Sequence, residues 1–412
     1  MDSQRPIAVI GAGIIGAAIA CALARDGQRV LLLDRAAPGT GGASFGNAGH
    51  IAAELVEPLP SPSLLFGFWR ELTAFGGPLE MPLRRLPALL PWSIRFAAAA
   101  FRRGPNTAHL APIVRPSVDS LETLLTAIGR RDLLKRHGHY EVWLGERGVA
   151  QARAQAEGMR ALGIPTEHAP SGFVTAVSTA AKARSAAALW FPGCAHVVDP
   201  FEVVRAFATA AEASGASVLQ RQVWSLQRRA QVLELQTDDG DIPVRAAIVC
   251  CGVWSGQLLR PFGVRVPLEA ARGYHVEIPG HAPLVDAPVL YSNERVLVTP
   301  LAGRLRASSY MEFRTPHAPP DLRKPARLRR VLAGLGYSSV DTNTSWVGAR
   351  PVLPDYLPAI GRLREVPEVF YAFGHQHIGL TLSAITAELV SALVAGRTPA
   401  HDLAPYSLER FG

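Results

Sequence analysis

Ile7-Ala8-Val9-Ile10-Gly11-Ala12-Gly13-Ile14-Ile15-Gly16 is the stretch on which the reading of this chain turns. Its four leading apolar residues suit a short parallel strand buried on both faces. Three glycines then turn the chain into an alanine-packed helix, Ala17 to Arg25, which Gly27 closes. Arg29-Val30-Leu31-Leu32-Leu33-Asp34 reads as a second buried strand, ending on an acid 18 residues beyond the third glycine. A lone G-x-G-x-x-G is a weak signal. Strand, turn, helix, strand and terminal acid in this order form the context that a dinucleotide-binding unit requires. Gly11 permits the tight turn, Gly13 lets the backbone approach a pyrophosphate, and Gly16 lets helix and strand pack closely. The free N–H groups at the helix start, with their partial positive charge, favour an anion. Ile14 and Ile15 carry the first of these amides and count among the cofactor contacts. Asp34 suits two ribose hydroxyls and disfavours a 2′-phosphate. The motif does not choose between NAD and FAD.

Outside this unit, the chain has the composition of a folded protein. Its 412 residues predict two domains, or one large α/β unit with an insertion; 48% are hydrophobic and 18% charged, which excludes disordered and fibrous classes. The formal charge is +8, nearly all of it arginine, with lysine only at 135, 182 and 324. A basic balance admits nucleic acid, an anionic membrane or an acidic substrate; a GC-rich genome would also favour arginine. The four cysteines, at 21, 194, 250 and 251, show no metal-ligand spacing and read as free buried thiols in a reducing compartment. The polar start, Met1 to Pro6, does not resemble a signal peptide, and no run reaches the roughly 18 apolar residues of a membrane span. A cytoplasmic protein is expected, with attachment to the inner face of the membrane left open.

Further along, residues 36 to 50 read as loop and 60 to 130 as helices punctuated by proline. Tyr140 to Leu144 reads as a strand, Ala150 to Leu162 and Pro200 to Ser214 as helices, and Ala246 to Cys251 as another buried strand. Alternation from Tyr274 to Phe313 predicts antiparallel strands with a hairpin at Ala302-Gly303. A helix over 320–337, a strand over Val369–Phe373 and a helix over Thr381–Ala395 follow.

Three more stretches carry a resemblance. They are Gly42-Ala43-Ser44-Phe45-Gly46-Asn47-Ala48-Gly49-His50, then Ile248-Val249-Cys250-Cys251-Gly252-Val253-Trp254-Ser255, and finally a C-terminal set. That set comprises Gly348-Ala349-Arg350-Pro351, Pro358-Ala359-Ile360-Gly361, and Gly374-His375 through Gly379-Leu380-Thr381. Together they resemble the D-amino-acid oxidase-like flavoproteins, which include glycine and sarcosine oxidases. The loop Ser44 to His50 is most similar to bacterial D-amino-acid dehydrogenases, among them those acting on D-proline and hydroxy-D-proline. The resemblance spans essentially the whole chain in fixed order. It implies an α/β architecture: a Rossmann-type FAD-binding domain over 1–60, 196–255 and 345–412, and an antiparallel-sheet substrate domain over 61–195 and 256–344. It also implies non-covalent FAD. Gly11, Gly13, Gly16 and Asp34 would hold the ADP half, with Arg35 beside the adenine and Val223 offering it a backbone amide. Ser44, Asn47, Gly49 and His50 would line the pyrophosphate and flavin ring. Gly252 and Trp254 would lie near the ribitol and phosphates. Gly374, Gly379 and Thr381 would embrace the pyrimidine end, and Gly348 and Leu380 also count among the cofactor contacts. The family's turn before Trp254 is alanine-rich, whereas this chain has Cys250-Cys251.

For the chemistry, the resemblance assigns Arg350 to the substrate carboxylate, a task that suits the planar guanidinium fork. Tyr274 stands where relatives place a substrate-facing residue, and a core tyrosine is the competing reading. His377 matches a second basic carboxylate contact, and His50 and His375 lie in flavin-proximal loops, although a lone histidine is more often structural. The implied reaction is hydride transfer from Cα to flavin N5, assisted by the amine lone pair. The imine then hydrolyses to a 2-oxo acid, or persists if cyclic. Orientation and exclusion of water supply most of the rate. Some oxidases of the family activate oxygen with a lysine near the flavin. No lysine stands in a flavin motif here, which favours a dehydrogenase with a quinone or an electron-transfer protein as acceptor. By that resemblance a D-amino acid is the expected substrate, with cyclic ones such as D-proline or cis-4-hydroxy-D-proline among the candidates. A glycine- or sarcosine-type oxidase of secondary amines and a flavoprotein subunit of a larger dehydrogenase remain as alternatives. The absence of a basic run with interleaved aromatics argues against nucleic acid.

One apolar stretch, Leu64 to Arg103, is flanked by arginines, and Leu64, Leu65, Phe68, Trp69 and Leu72 share a helical face. Docking on an anionic bilayer to meet a quinone is one reading. Packing against the substrate domain is the other, and the favoured one.

Overall fold

The computed structural model describes residues 5–73, 77–229, 232–337 and 344–412, so Met1 to Gln4 of the polar start and 74–76 of the apolar stretch lie outside it. Two large sheets organise the chain. The first has six strands in the spatial order Ser217–Gln220, Val30–Asp34, Ile7–Ile10, Ala246–Val249, Val369–Phe373 and Ala359–Arg362. All neighbours are parallel except the last pair. Period-two alternation sends Ile7 and Val9 to one face and Ala8 and Ile10 to the other. On the first face lie the helices Ile14–Arg25, Pro200–Ala213 and Ser383–Val394. On the second, Leu226, Leu233 and Leu235 arrive from a three-stranded antiparallel meander. Covering both faces is what a parallel sheet of near-continuous apolar strands requires.

The first helix begins at Ile14, three residues before its alanine run, because Gly13 already adopts the extended N-cap conformation. Gly11 sits at φ +105°, and a Cβ there would lie 2.5 Å from the Cys250 carbonyl oxygen. A Cβ on Gly16 would collide with the Gly11 carbonyl. The crossing of helix and turn therefore depends on both being glycine.

Nine strands form the second sheet, dominated by Glu269–Pro279, Arg304–Phe313 and Ser345–Val352. Ala302-Gly303 makes the expected hairpin between Val296–Leu301 and Arg304–Phe313. Ser345–Val352 pairs with Glu269–Pro279. It therefore belongs to this sheet, although the sequence division assigns it to the third cofactor segment. A small three-stranded sheet, His50–Ile51 with Ala195–Val197 and Leu134–Lys135, ties the glycine-rich loop to residues further along. No helix among the described residues is long and apolar enough to cross a membrane.

The helix Pro62–Glu71 only half follows the favoured packing reading. Leu64, Leu65 and Phe68 are partly buried, but Trp69 and Phe66 face outward, Phe66 at 80% exposure.

Candidate active site

A cavity of about 570 Å³ runs from the first glycine turn to the inner edge of the second sheet. At one end the wall is backbone. Gly11, Ala12, Gly13, Ile14 and Ile15 line it, and the Ile14 amide donates to Ser44 Oγ at 2.9 Å. Asp34 is locked by two amides, Ala12 N to Oδ2 at 2.8 Å and Ala36 N to Oδ1 at 3.1 Å. Each of its oxygens retains a lone pair for a hydroxyl. Arg35 lies 4.1 Å above the Trp254 ring, and both line the cavity with Val223 and Gly252. The adjacent thiols stay protonated: burial pushes Cys251 up to about 12 and Cys250 well above its ordinary value. Cys251 Sγ donates to the Ile10 carbonyl at 3.1 Å, a packing role.

Towards the middle, Asn47 and Gly348 line the wall. Asn47 Oδ1 also accepts the Gly49 amide at 2.8 Å and fixes that turn. Gly379 and Leu380 line it too, whereas Gly16, Gly49, Gly374 and Thr381 stand behind it. Thr381 Oγ1 accepts the Ala52 amide at 3.0 Å, so its contribution is to hold the loop that carries His50.

Side chains make the other end. Arg350 Nη1 donates to the Tyr310 carbonyl at 3.0 Å, and burial works against its charge. Among the described residues no carboxylate pairs with it. An enclosed guanidinium without a counter-ion is costly, and a bound anion would relieve that cost. Gly273 makes room for it, since a Cβ there would overlap the guanidinium. His377 lies open to the cavity yet ringed by protein, which lowers its pKa to about 4, with the Arg350 charge adding to the effect. His375 Nε2 is tied to Thr386 Oγ1 at 3.0 Å.

Tyr274 does not line the cavity; of its two readings, substrate-facing and core, the structure follows the core one. Its hydroxyl donates to Glu312 Oε2 at 2.8 Å and accepts from Arg272 Nη2 and the Asp321 amide, both at 3.0 Å. Strand alternation leaves Gly273 against Arg350 and sends Tyr274, with Arg272, to the opposite face in the core of the second sheet; the extra residue of the register shift lies in the partner strand, beside Tyr310. The residue of this segment that shapes the site is thus Gly273. Tyr310, at φ +71°, supplies the tyrosine of the cavity wall.

Sequence reasoning also missed a buried cluster around His50. His50 Nε2 lies 3.7 Å and His139 Nδ1 3.8 Å from Glu54 Oε1, while Cys194 Sγ donates to Glu54 Oε2 at 2.9 Å. Burial raises the Glu54 carboxyl to about 7 and lowers His139 to about 3. His50 is held well below its ordinary range by burial first, then by its neighbours His139, His196 and His377. The imidazoles are therefore neutral, and the carboxyl is poised between its two forms near neutral pH.

Residues 6–393 match the family described as FAD dependent oxidoreductase. The chain is 31% identical to the D-amino-acid oxidase of Bradyrhizobium diazoefficiens, with all of both chains covered. It is 28% identical to a D-amino acid dehydrogenase of Rhizorhabdus wittichii, covering 98% of this chain and 100% of the relative. Among solved structures, glycine oxidase from Geobacillus kaustophilus superposes with a TM-score of 0.78 at 23% identity, covering 98% of each chain. L-proline dehydrogenase from P. horikoshii superposes at 0.75 with 18% identity, covering 100% of this chain and 98% of that one. At these identities the two structures speak for the fold alone.

Proposed function

This chain belongs to the FAD-dependent oxidoreductases, and within that family we propose that it is a dehydrogenase of D-amino acids, cyclic ones such as D-proline and cis-4-hydroxy-D-proline included. The observation that carries the reading is Arg350: a cation on the cavity wall, with no acidic partner among the described residues and with space cleared by Gly273. A substrate carboxylate is the anion that fits a guanidinium so placed. The names of the full-length relatives from Bradyrhizobium and Rhizorhabdus favour the D-series.

The glycine cradle, the locked Asp34 and a cavity that joins them to Arg350 fit FAD, and when bound this cofactor supplies a hydride acceptor. Gly11, Gly13 and the amides of Ile14 and Ile15 would receive the pyrophosphate and Asp34 the ribose, without a covalent link. Arg350 orients the substrate, with His377 as a neutral hydrogen-bond partner near its carboxylate. His50 hands its neutral ring to the loop side of the cavity. Tyr310, Trp346 and Met311 line this end, and with cofactor and substrate in place they would exclude water and strengthen the Arg350 contact. None of the three lysines lines the cavity. That supports an acceptor other than oxygen, a quinone or an electron-transfer protein, and a working place at the cytoplasmic face of the membrane. We assign the cofactor-binding domain to 1–60, 196–255 and the chain beyond 352, and the substrate domain to the rest, with Ser345–Val352 moved to it.

The test is anaerobic bleaching of the flavin bands of the purified protein by D- and L-amino acids, D-proline, hydroxy-D-proline, glycine and sarcosine. Bleaching by D-substrates is expected. In Arg350→Ala, kcat/KM falls by roughly 30- to 5000-fold, the cost of breaking a buried charge pair of about 2–5 kcal/mol. Bleaching by glycine or sarcosine alone would replace the reading with a secondary-amine oxidase.

A further inference from the structure

We propose that the face built by helices Pro62–Glu71 and Leu86–Ala100 docks on an anionic lipid bilayer. The second helix carries Leu86, Leu90 and Ile94 at i, i+4 and i+8, one stripe along its length, and Leu83 and Phe101 extend that stripe at its two ends. In a soluble helix such a stripe faces the core. Here it points outward, with Leu83 82% exposed, Phe101 71%, Ile94 61% and Leu90 57%. The buried side of the helix is a different one, formed by Leu89, Trp92 and Ala99. The neighbouring helix adds exposed Phe66 and Trp69, the latter under the Arg70 guanidinium at 4.9 Å. Scattered surface apolar residues need no explanation, but seven large ones on two adjoining helices and the residues flanking the second do.

Charge selects the occupant. Arg84, Arg95 and Arg102 flank the stripe, and none has an acidic partner among the described residues. Arg95 also borders a groove in which Arg260, Arg265, Arg362 and Arg364 outnumber Glu269, Glu365 and Glu409. Apolar residues rimmed by unneutralised arginine match acyl chains beneath anionic headgroups, each cation near such a surface contributing about 1 kcal/mol. A second copy of the chain fits worse, because a two-fold interface would bring the same arginines face to face. The face also adjoins the active-site cavity: Glu71, the last residue of the first helix, holds Arg295 on the cavity wall at 2.9 Å. Docking would hold that wall close to the membrane surface. The surface stands on its own, whatever amine the cavity accepts.

The purified holoprotein should be floated with vesicles of phosphatidylglycerol and phosphatidylethanolamine, and with vesicles of phosphatidylcholine. Binding to the anionic vesicles is expected, with release in about 1 M salt, where the screening length falls to ~3 Å. A triple variant, Leu83→Ser with Leu90→Ser and Ile94→Ser, should stay with the soluble fraction while keeping its flavin absorbance and its activity with a water-soluble dye as acceptor. Each of Arg84→Ser, Arg95→Ser and Arg102→Ser should weaken partition roughly fivefold. No binding to either vesicle overturns the proposal. So does equal binding to both, or a wild type that is dimeric where the triple variant is monomeric. Loss of dye-linked activity towards every amino acid, with vesicle binding intact, would count against the substrate reading alone.

Discussion

The two ends of the cavity are made of different material. At the glycine end the working groups belong to the backbone: amides of Ala12 and Ile14, and turns that only glycine permits. At the Arg350 end they belong to side chains from strands, loops and a helix start far apart in the chain. A backbone site is a local object. It tolerates little change, because each atom that binds is also an atom of the fold. A side-chain site is assembled by the tertiary structure and can lose one member while the rest stands.

Substitutions at the two ends should therefore fail in different ways. Gly11→Ala should have the largest effect: its Cβ meets the Cys250 carbonyl at 2.5 Å in a left-handed conformation, so the protein should purify without flavin absorbance. A yellow Gly11→Ala protein would break the distinction. Gly273→Ala should keep its flavin and lose roughly 100-fold in kcat/KM, because the methyl group displaces the Arg350 guanidinium; steady-state kinetics against an unchanged flavin spectrum reads this.

Glu54 sharpens the contrast through pH. Its carboxyl titrates near 7 in the folded chain against an ordinary 4.5, so between those values the native state keeps a proton that the unfolded state has released. The stability this contributes is complete below about 4.5 and is lost as pH rises to about 7, on the order of 3 kcal/mol in all. Glu54→Gln should remove that slope, and denaturant titrations across the window compare the two proteins. Parallel curves would show that Glu54 is not so enclosed. The depressed histidines slope the other way and are present in both proteins. The smallest effect belongs to Tyr274→Phe: about 1–2 kcal/mol of stability from the lost hydroxyl contacts, with KM unchanged. A large rise in KM would return Tyr274 to the substrate.

The same contrast explains what could be read from the sequence. The glycine turn, the flanking strands and Asp34 lie within the first 34 residues, so spacing alone carried them. The place of Arg350 on the cavity wall was reachable through resemblance, since its motif is short and contiguous. For Tyr274 the sequence leaves a substrate-facing and a core reading open, because alternation shows that Gly273 and Tyr274 face opposite ways and only the fold shows which face meets Arg350. The Glu54 cluster was invisible, because Cys194 meets Glu54 across 140 residues and neither sits in a motif. The apolar stretch after Leu64 was ambiguous for a related reason: periodicity shows that a helix has an apolar face, and only the fold shows whether protein covers it.

The order of strands in the first sheet also sets a timetable. Ile7–Ile10 lies at its centre, yet one of its two neighbours is Ala246–Val249, and Cys251, whose thiol holds the Ile10 carbonyl, is 241 residues further on. At a synthesis rate of roughly 5–20 residues per second, the opening strand waits on the order of 10–50 s for that neighbour to leave the ribosome. During this time the glycine turn lacks the Cys250 backbone against which it is shaped. The nascent chain thus has a long interval in which its most apolar segment is made but not yet housed, and a chaperone that shields the first 34 residues would act when protection matters most.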